Sequence, residues 1–89
     1  MDAFTLAAVG HAVGDPTRVQ VLSMANGKLS VTEIGNLLGV SKATASHHVR
    51  VLEEVGLVEI VRGGRCHRPK RRLEGVWELA RDVGRLSQR

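Results

Sequence analysis

Apolar residues recur at helical spacing in five stretches of this 89-residue chain, and between the fourth and fifth stretches they give way to a short β-branched run. Residues 2–13 carry Phe4, Leu6, Ala7, Ala8, Val9, Ala12 and Val13 on most sides of a first helix. Such a helix is expected to be covered both by its own subunit and by a partner, and Gly10 weakens it somewhat. Asp15-Pro16 reads as a capping carboxylate followed by proline at the first helical position. It predicts a second helix over 16–25 that buries Val19, Leu22 and Ala25 and stops at Asn26-Gly27. Ser30 with Glu33 three residues on is a capping box, so a third helix over 31–38 should present Val31, Ile34, Leu37 and Leu38 as its apolar stripe. Gly39-Val40 leaves only a tight turn before Ser41 caps a fourth helix, 41–55, with Gly56 as its stop. Two short helices joined through a glycine turn outline a helix-turn-helix.

The β-branched run Leu57-Val58-Glu59-Ile60-Val61-Arg62 is followed by Gly63-Gly64 and Arg65-Cys66-His67-Arg68. This pattern predicts a hairpin, with strands at about 57–62 and 65–68 around a Gly63-Gly64 loop. Pro69 should confine the second strand to an edge or end it. Leu73, Val76, Trp77, Ala80 and Val83 then return to helical spacing in a fifth helix, 73–86, with more apolar surface than so small a domain covers alone. The expected architecture is mainly α with a small β-hairpin, a single winged helix-turn-helix domain over residues 1–89. No repeat or linker divides it.

Charge sharpens this picture. The chain carries 13 basic and 9 acidic side chains, a net +4. Nine of the basic and three of the acidic ones lie from Arg62 onward, so the excess sits where a polyanion could meet it. Tyr is absent and Trp and Phe occur once each, which argues against stacking platforms for single strands. Cys66 is the lone cysteine, so no internal disulfide can form. No apolar run approaches a membrane span and the N-terminus has no signal-like pattern, so a cytoplasmic location without membrane association is expected.

The fourth helix divides into two faces. Ala45, Val49 and Leu52 share one stripe, while Lys42, Ala43, Ser46, His47 and Arg50 point the other way, with Thr44 at the boundary. Short polar groups followed by His and Arg suit the major groove of double-stranded DNA, because small side chains allow close approach and the longer ones reach base edges or phosphates. Ser41, Lys42, Thr44, Ser46, His47 and Arg50 are therefore candidate DNA-binding residues, with Arg62 and Arg65 added as a pair of guanidinium groups flanking the hairpin loop. A plain solvated helix face and a charged tip that keeps an edge strand soluble are the competing accounts. His48 lies nearer the buried stripe and reads as a hydrogen-bonded packing histidine. Lys70-Arg71-Arg72 is read evenly as a DNA contact or a solvated turn.

In combination these residues resemble the ArsR family of bacterial winged-helix repressors. The matching stretches are Gly14-Asp15-Pro16-Thr17-Arg18, Leu29-Ser30-Val31 with Glu33-Ile34, Leu38-Gly39-Val40-Ser41, Ser46-His47-His48, Val51-Leu52-Glu53, Gly56-Leu57-Val58, and Arg62 with Gly64-Arg65. The resemblance implies a homodimer joined through segments 2–13 and 73–86, with recognition helices entering successive major grooves of a pseudo-palindromic operator. Many members sense metals through paired cysteines at the start of the third helix, where Ser30 and Thr32 stand here. Others use ligands on the last helix, yet residues 73–89 contain no His and no Cys. The usual metal sites are thus absent, and no metal or other cofactor is expected.

An enzyme is not expected. Cys66 and His67 are neighbours on a strand and point to opposite faces, and no phosphate-cradling loop or catalytic carboxylate pair is present. A winged helix serving as a protein-interaction module is the stronger rival, but the outer face of the fourth helix lacks the large apolar anchors such a surface uses. Metal sensing through Cys66, His67 and His11, or a redox response at Cys66, has no recognisable ligand spacing behind it. Regulation by abundance, by a partner protein or by an effector of unknown identity is left open.

Overall fold

The computed structural model describes residues 3–72. Four helices precede a hairpin: α1 (Ala3–Val13), α2 (Pro16–Ser23), α3 (Val31–Leu38) and α4 (Lys42–Glu54), then β1 (Val58–Gly63) and β2 (Cys66–Arg71). The expected helix over 73–86 lies outside the described residues. No helix among the described residues is long and apolar enough to cross a membrane.

Local chemistry sets the helix starts. Asp15 accepts hydrogen bonds from the N–H groups of Thr17 (2.9 Å) and Arg18 (3.2 Å), with Pro16 opening α2. The Ser30/Glu33 box closes reciprocally: Glu33 N–H donates to Ser30 Oγ at 3.1 Å and Ser30 N–H to Glu33 Oε1 at 3.0 Å. Gly39, at φ 71°, ends α3 in the left-handed conformation that lets the chain turn within two residues into α4.

Two boundaries differ from expectation by more than one residue. The second helix ends at Ser23, not residue 25, because Ala25–Gly27 is taken up by the outer edge of β2. Gly27 N–H donates to Pro69 C=O (2.9 Å) and Arg71 N–H to Ala25 C=O (2.8 Å), while Asn26 bridges Lys70. Asn26 does not stop the helix but folds the next turn, its side-chain oxygen accepting from the N–H groups of Lys28 and Leu29. The second strand runs through Pro69 to Arg71 instead of stopping near 68. In an extended strand the N–H and C=O of one residue face the same way. The donor missing at Pro69 therefore falls on the side of residues 25–27, and the ladder to β1 loses nothing.

The core is one cluster. Val9, Ala12 and Val13 of α1 meet Val21 and Leu22 of α2, Ile34 of α3, Ala45, Val49 and Leu52 of α4, and Leu57 and Val58 entering the hairpin. Leu37, expected in the α3 stripe, is 65% exposed; α3 buries Val31, Ile34 and Gly35. Val21, unassigned in the sequence reading, is fully buried.

Candidate nucleic-acid interface

α4 is oriented from beneath. Ala45, His48, Val49 and Leu52 are buried, whereas Ser41, Lys42, Ala43, Thr44, His47 and Arg50 are exposed and Ser46 is half-buried, so its hydrophilic side faces solvent. Ser41 is the N-cap of α4. Its hydroxyl accepts from Thr44 N–H at 3.0 Å and donates to Thr44 Oγ1 at 2.9 Å, which leaves the Thr44 hydroxyl proton without an acceptor among the described residues and Ser41 committed to the cap.

Below this face lies a polar connection. His48 is 7% exposed and its Nδ1 accepts from Arg18 Nε at 3.2 Å; Arg18, equally buried, also donates through Nη1 to the Ala12 carbonyl at 3.3 Å. One guanidinium thus joins the end of α1, the start of α2 and the middle of α4. Burial holds the His48 pKa below the ordinary 6.5, the Asp15 carboxylate opposes this, and the neighbouring Arg18 and His47 reinforce it. His48 is the packing histidine the sequence suggests. Arg18 went unassigned there, because nothing in its neighbours along the chain shows that it is buried.

The hairpin is shifted by one residue from expectation. Gly63 pairs with Cys66 inside the ladder, and the two-residue loop is Gly64-Arg65. Gly64 has φ 61°, the conformation required at the first central position of such a loop, while Gly63, inside the ladder, lies against the end of the Arg68 side chain. Arg62 accordingly faces His67 across the ladder, not Arg65, and Arg65 stands in the turn itself. Arg62 and His67 continue the strand face that carries Val58, Ile60 and Pro69, the face turned toward the helices.

Two clefts join the exposed side of α4 to the wing. One, of about 320 Å³, brings Lys42 and Ser46 together with Arg65 and His67 beside the start of α3. The other gathers Ser46, Arg50 and Arg62 with Glu53 and His67. Thr44 and His47 stand clear of both. The Lys70-Arg71-Arg72 run is not a solvated turn, since Lys70 and Arg71 lie in β2: Arg71 donates to the carbonyls of Ser23 (2.7 Å) and Leu22 (3.4 Å), capping the end of α2, while Lys70 and Arg72 are exposed. Sequence reasoning also missed Thr32 and His67 as neighbours of Lys42. The capping box located the start of α3, but only the fold brings the wing onto it.

A helix pair linked by a glycine turn, an outward polar second helix and a basic hairpin define a winged helix-turn-helix. The sequence profile of the helix-turn-helix domain matches residues 13–61. The cadmium resistance transcriptional regulatory protein CadC homolog of Staphylococcus aureus is 40% identical over 63 residues, 67% of this chain and 51% of that protein. The HTH-type transcriptional regulator NmtR of Mycobacterium tuberculosis is 36% identical over 64 residues, 71% and 53% of the two chains. The chain thus spans about half the length of these two relatives. Among solved structures, the homodimeric winged helix-turn-helix DNA-binding domain of Mb0332 from Mycobacterium bovis, a possible ArsR-family transcriptional regulator, superposes with a TM-score of 0.79 at 30% identity, covering 94% of this chain and 79% of that one. The chain belongs to the ArsR family of helix-turn-helix transcriptional regulators.

Proposed function

We propose that this chain is a sequence-specific repressor that binds double-stranded DNA as a homodimer on a pseudo-palindromic operator. The observation that carries the reading is the division of α4: its apolar side is locked into the core, and Lys42, Thr44, Ser46, His47 and Arg50 are left on the outside beside a basic wing. In this reading Thr44, Ser46 and His47 contact base edges, Lys42 and Arg50 contact base edges or phosphates, and Arg62 and Arg65 hold the backbone beside them. Ser41 contributes mainly by fixing the first turn of α4. In this reading two copies join through segments 2–13 and 73–86; that the solved M. bovis neighbour is homodimeric supports a dimer. A cytoplasmic location goes with this role. Ser30 and Thr32 offer no thiolate to a thiophilic metal, so regulation does not run through the metal site that other family members carry at the start of α3.

The test begins with genomic fragments selected by the protein, whose affinity is followed by fluorescence anisotropy at several salt concentrations. Affinity should fall steeply with salt, as expected when several cations per subunit displace counterions. His47→Ala should reduce discrimination between operator and random duplex, whereas Arg65→Ala should weaken both alike. A flat salt profile contradicts the electrostatic part, and intact discrimination in His47→Ala means the reading face is elsewhere. Release of the operator by an added metal ion overturns the metal-independent reading.

A further inference from the structure

Arg18 and His48 make a polar contact at a place where apolar packing would serve the core as well. Both side chains are 7% exposed, and the two acceptors that hold the guanidinium are a ring nitrogen and a peptide carbonyl: His48 Nδ1 accepts from Nε at 3.2 Å and Ala12 C=O from Nη1 at 3.3 Å. A buried cation held by neutral partners adds little to stability, because the cost of taking it out of water offsets what the hydrogen bonds return. What such a contact supplies is direction, since a planar guanidinium fixes both the distance and the angle of the groups it bonds.

That direction falls where α4 is otherwise least constrained. In its first two turns only Ala45 and His48 are buried, and the larger anchors Val49 and Leu52 follow them. Ala45 lies close against Gly35 of α3. A methyl group on bare backbone sets how near the two helices come but not how α4 is rolled about its axis. His48 stands beside His47, their rings 5.8 Å apart, and one helical turn beyond Thr44, so the roll it fixes is the roll of the outward side chains. At the other end of the link, the Ala12 carbonyl belongs to the last turn of α1.

We infer that Arg18 is a positioning residue for sequence reading: through His48 it sets the roll of α4 against α1 and α2, and so the angle at which Thr44, Ser46 and His47 present to the groove. Arg18 itself touches no DNA. The assignment rests on the reading of α4 as the DNA-binding helix, and it gives a role to a buried cation that neither packing nor phosphate contact uses. Because the same guanidinium holds the end of α1, the setting of α4 is referred to the segment assigned to the dimer.

The experiment uses the full chain, a fragment selected from genomic DNA and a random duplex, with both affinities measured by fluorescence anisotropy. Residual dipolar couplings of ¹⁵N-labelled amides report the angle of α4 against α2 in the same proteins. Arg18→Met combined with His48→Leu removes the link but keeps the site filled with apolar groups, so urea unfolding should show a chain at least as stable as the wild type. This double variant should nevertheless turn α4 and lose about tenfold or more in affinity for the selected fragment. Its affinity for random duplex, held by Lys42, Arg50, Arg62 and Arg65, should change by less than about threefold. Arg18→Lys keeps the stem and the charge but not the fork; it should lose discrimination in the same direction, and it stands in for the double variant if that one unfolds. His48→Gln, which still offers an acceptor, should retain the wild-type ratio of the two affinities. Undiminished discrimination in a folded variant that lacks the fork, or equal losses for the two duplexes, overturns the assignment and leaves the DNA reading standing. A turned α4 in the variants, with no preference for the selected fragment in the wild type, keeps the link and overturns the DNA reading. Neither a turn nor a preference overturns both.

Discussion

Acidification is expected to destabilise the fold through a single histidine beneath the outward face of α4. As long as His48 is neutral, its Nδ1 accepts the Arg18 Nε hydrogen bond at 3.2 Å. A proton on Nδ1 replaces the acceptor with a donor and sets two cations against each other in a site where both side chains are 7% exposed. The groups that face His48 pull in both directions: Asp15 favours the charged ring, Arg18 and His47 oppose it, and burial, the largest influence, also opposes it, so the folded-state pKa lies below 6.5. Above pH 6.5 both folded and unfolded chains hold a neutral ring and the contribution of His48 is complete. Between 6.5 and the folded value the unfolded chain binds the proton and the folded chain does not, so stability falls as pH falls. Below the folded value the loss levels off. The slope of one such group cannot exceed about 1.4 kcal/mol per pH unit.

Urea unfolding of the wild type and of His48→Gln, measured in parallel between about pH 8 and pH 5, isolates this group from His11, His47 and His67. Glutamine can still accept from Arg18 but does not titrate in this range. The wild type should lose stability relative to the variant below pH 6.5, and an NMR titration of the His48 ring should give a midpoint below that of a free imidazole. Parallel unfolding curves, or a ring that titrates at or above 6.5, refute the reasoning.

Three further outcomes follow from packing and backbone geometry. Leu52→Ala, which removes a fully buried side chain joining α4 to the core, should cost about 2–5 kcal/mol in urea unfolding. Asp15→Ala strips the cap of α2 and should cost about 1 kcal/mol, read as a lower thermal midpoint. Gly64→Ala has open space around the new methyl but sits at φ 61°, so it should destabilise the hairpin by about 1 kcal/mol, visible as faster amide exchange in residues 58–71.

What could be read from the chain, and what could not, divides along a physical line. Asp15-Pro16, Ser30 with Glu33, Gly39 and Ser41 act on the backbone within four residues, and the helix starts they mark fall where expected. The inner face of α4 was legible for the same reason, since helical spacing alone separates Ala45, Val49 and Leu52 from His47 and Arg50. The misses all depend on partners distant in sequence. Residues 25–27 leave α2 because β2 offers them hydrogen bonds, Arg71 is drawn to the carbonyls of Leu22 and Ser23, and Arg18 meets His48 across 30 positions. The loop at Gly64-Arg65 is a finer case: either glycine satisfies the pattern, and the register of the strands places Gly64, at φ 61°, in the turn and Gly63 in the ladder.

Those same distant contacts decide how firmly the wing is held. A two-stranded hairpin is marginal by itself, yet here β2 is bonded along its outer edge to residues 25–27 and Pro69 is fully buried against the helices. β1 packs on α4 and β2 on α3, so the wing and the two helices beneath it form one unit. If the wing meets DNA as proposed, a loose wing would consume part of the binding free energy in being ordered. Anchored as it is, Arg62 and Arg65 are held near Ser46, Arg50 and Lys42 before any contact is made. Pro69 is central to this arrangement, for its ring is fully buried while its missing donor falls on the outer edge of β2, away from the ladder to β1. Replacing the ring with a smaller side chain therefore loosens the wing from its base without touching the charged tip.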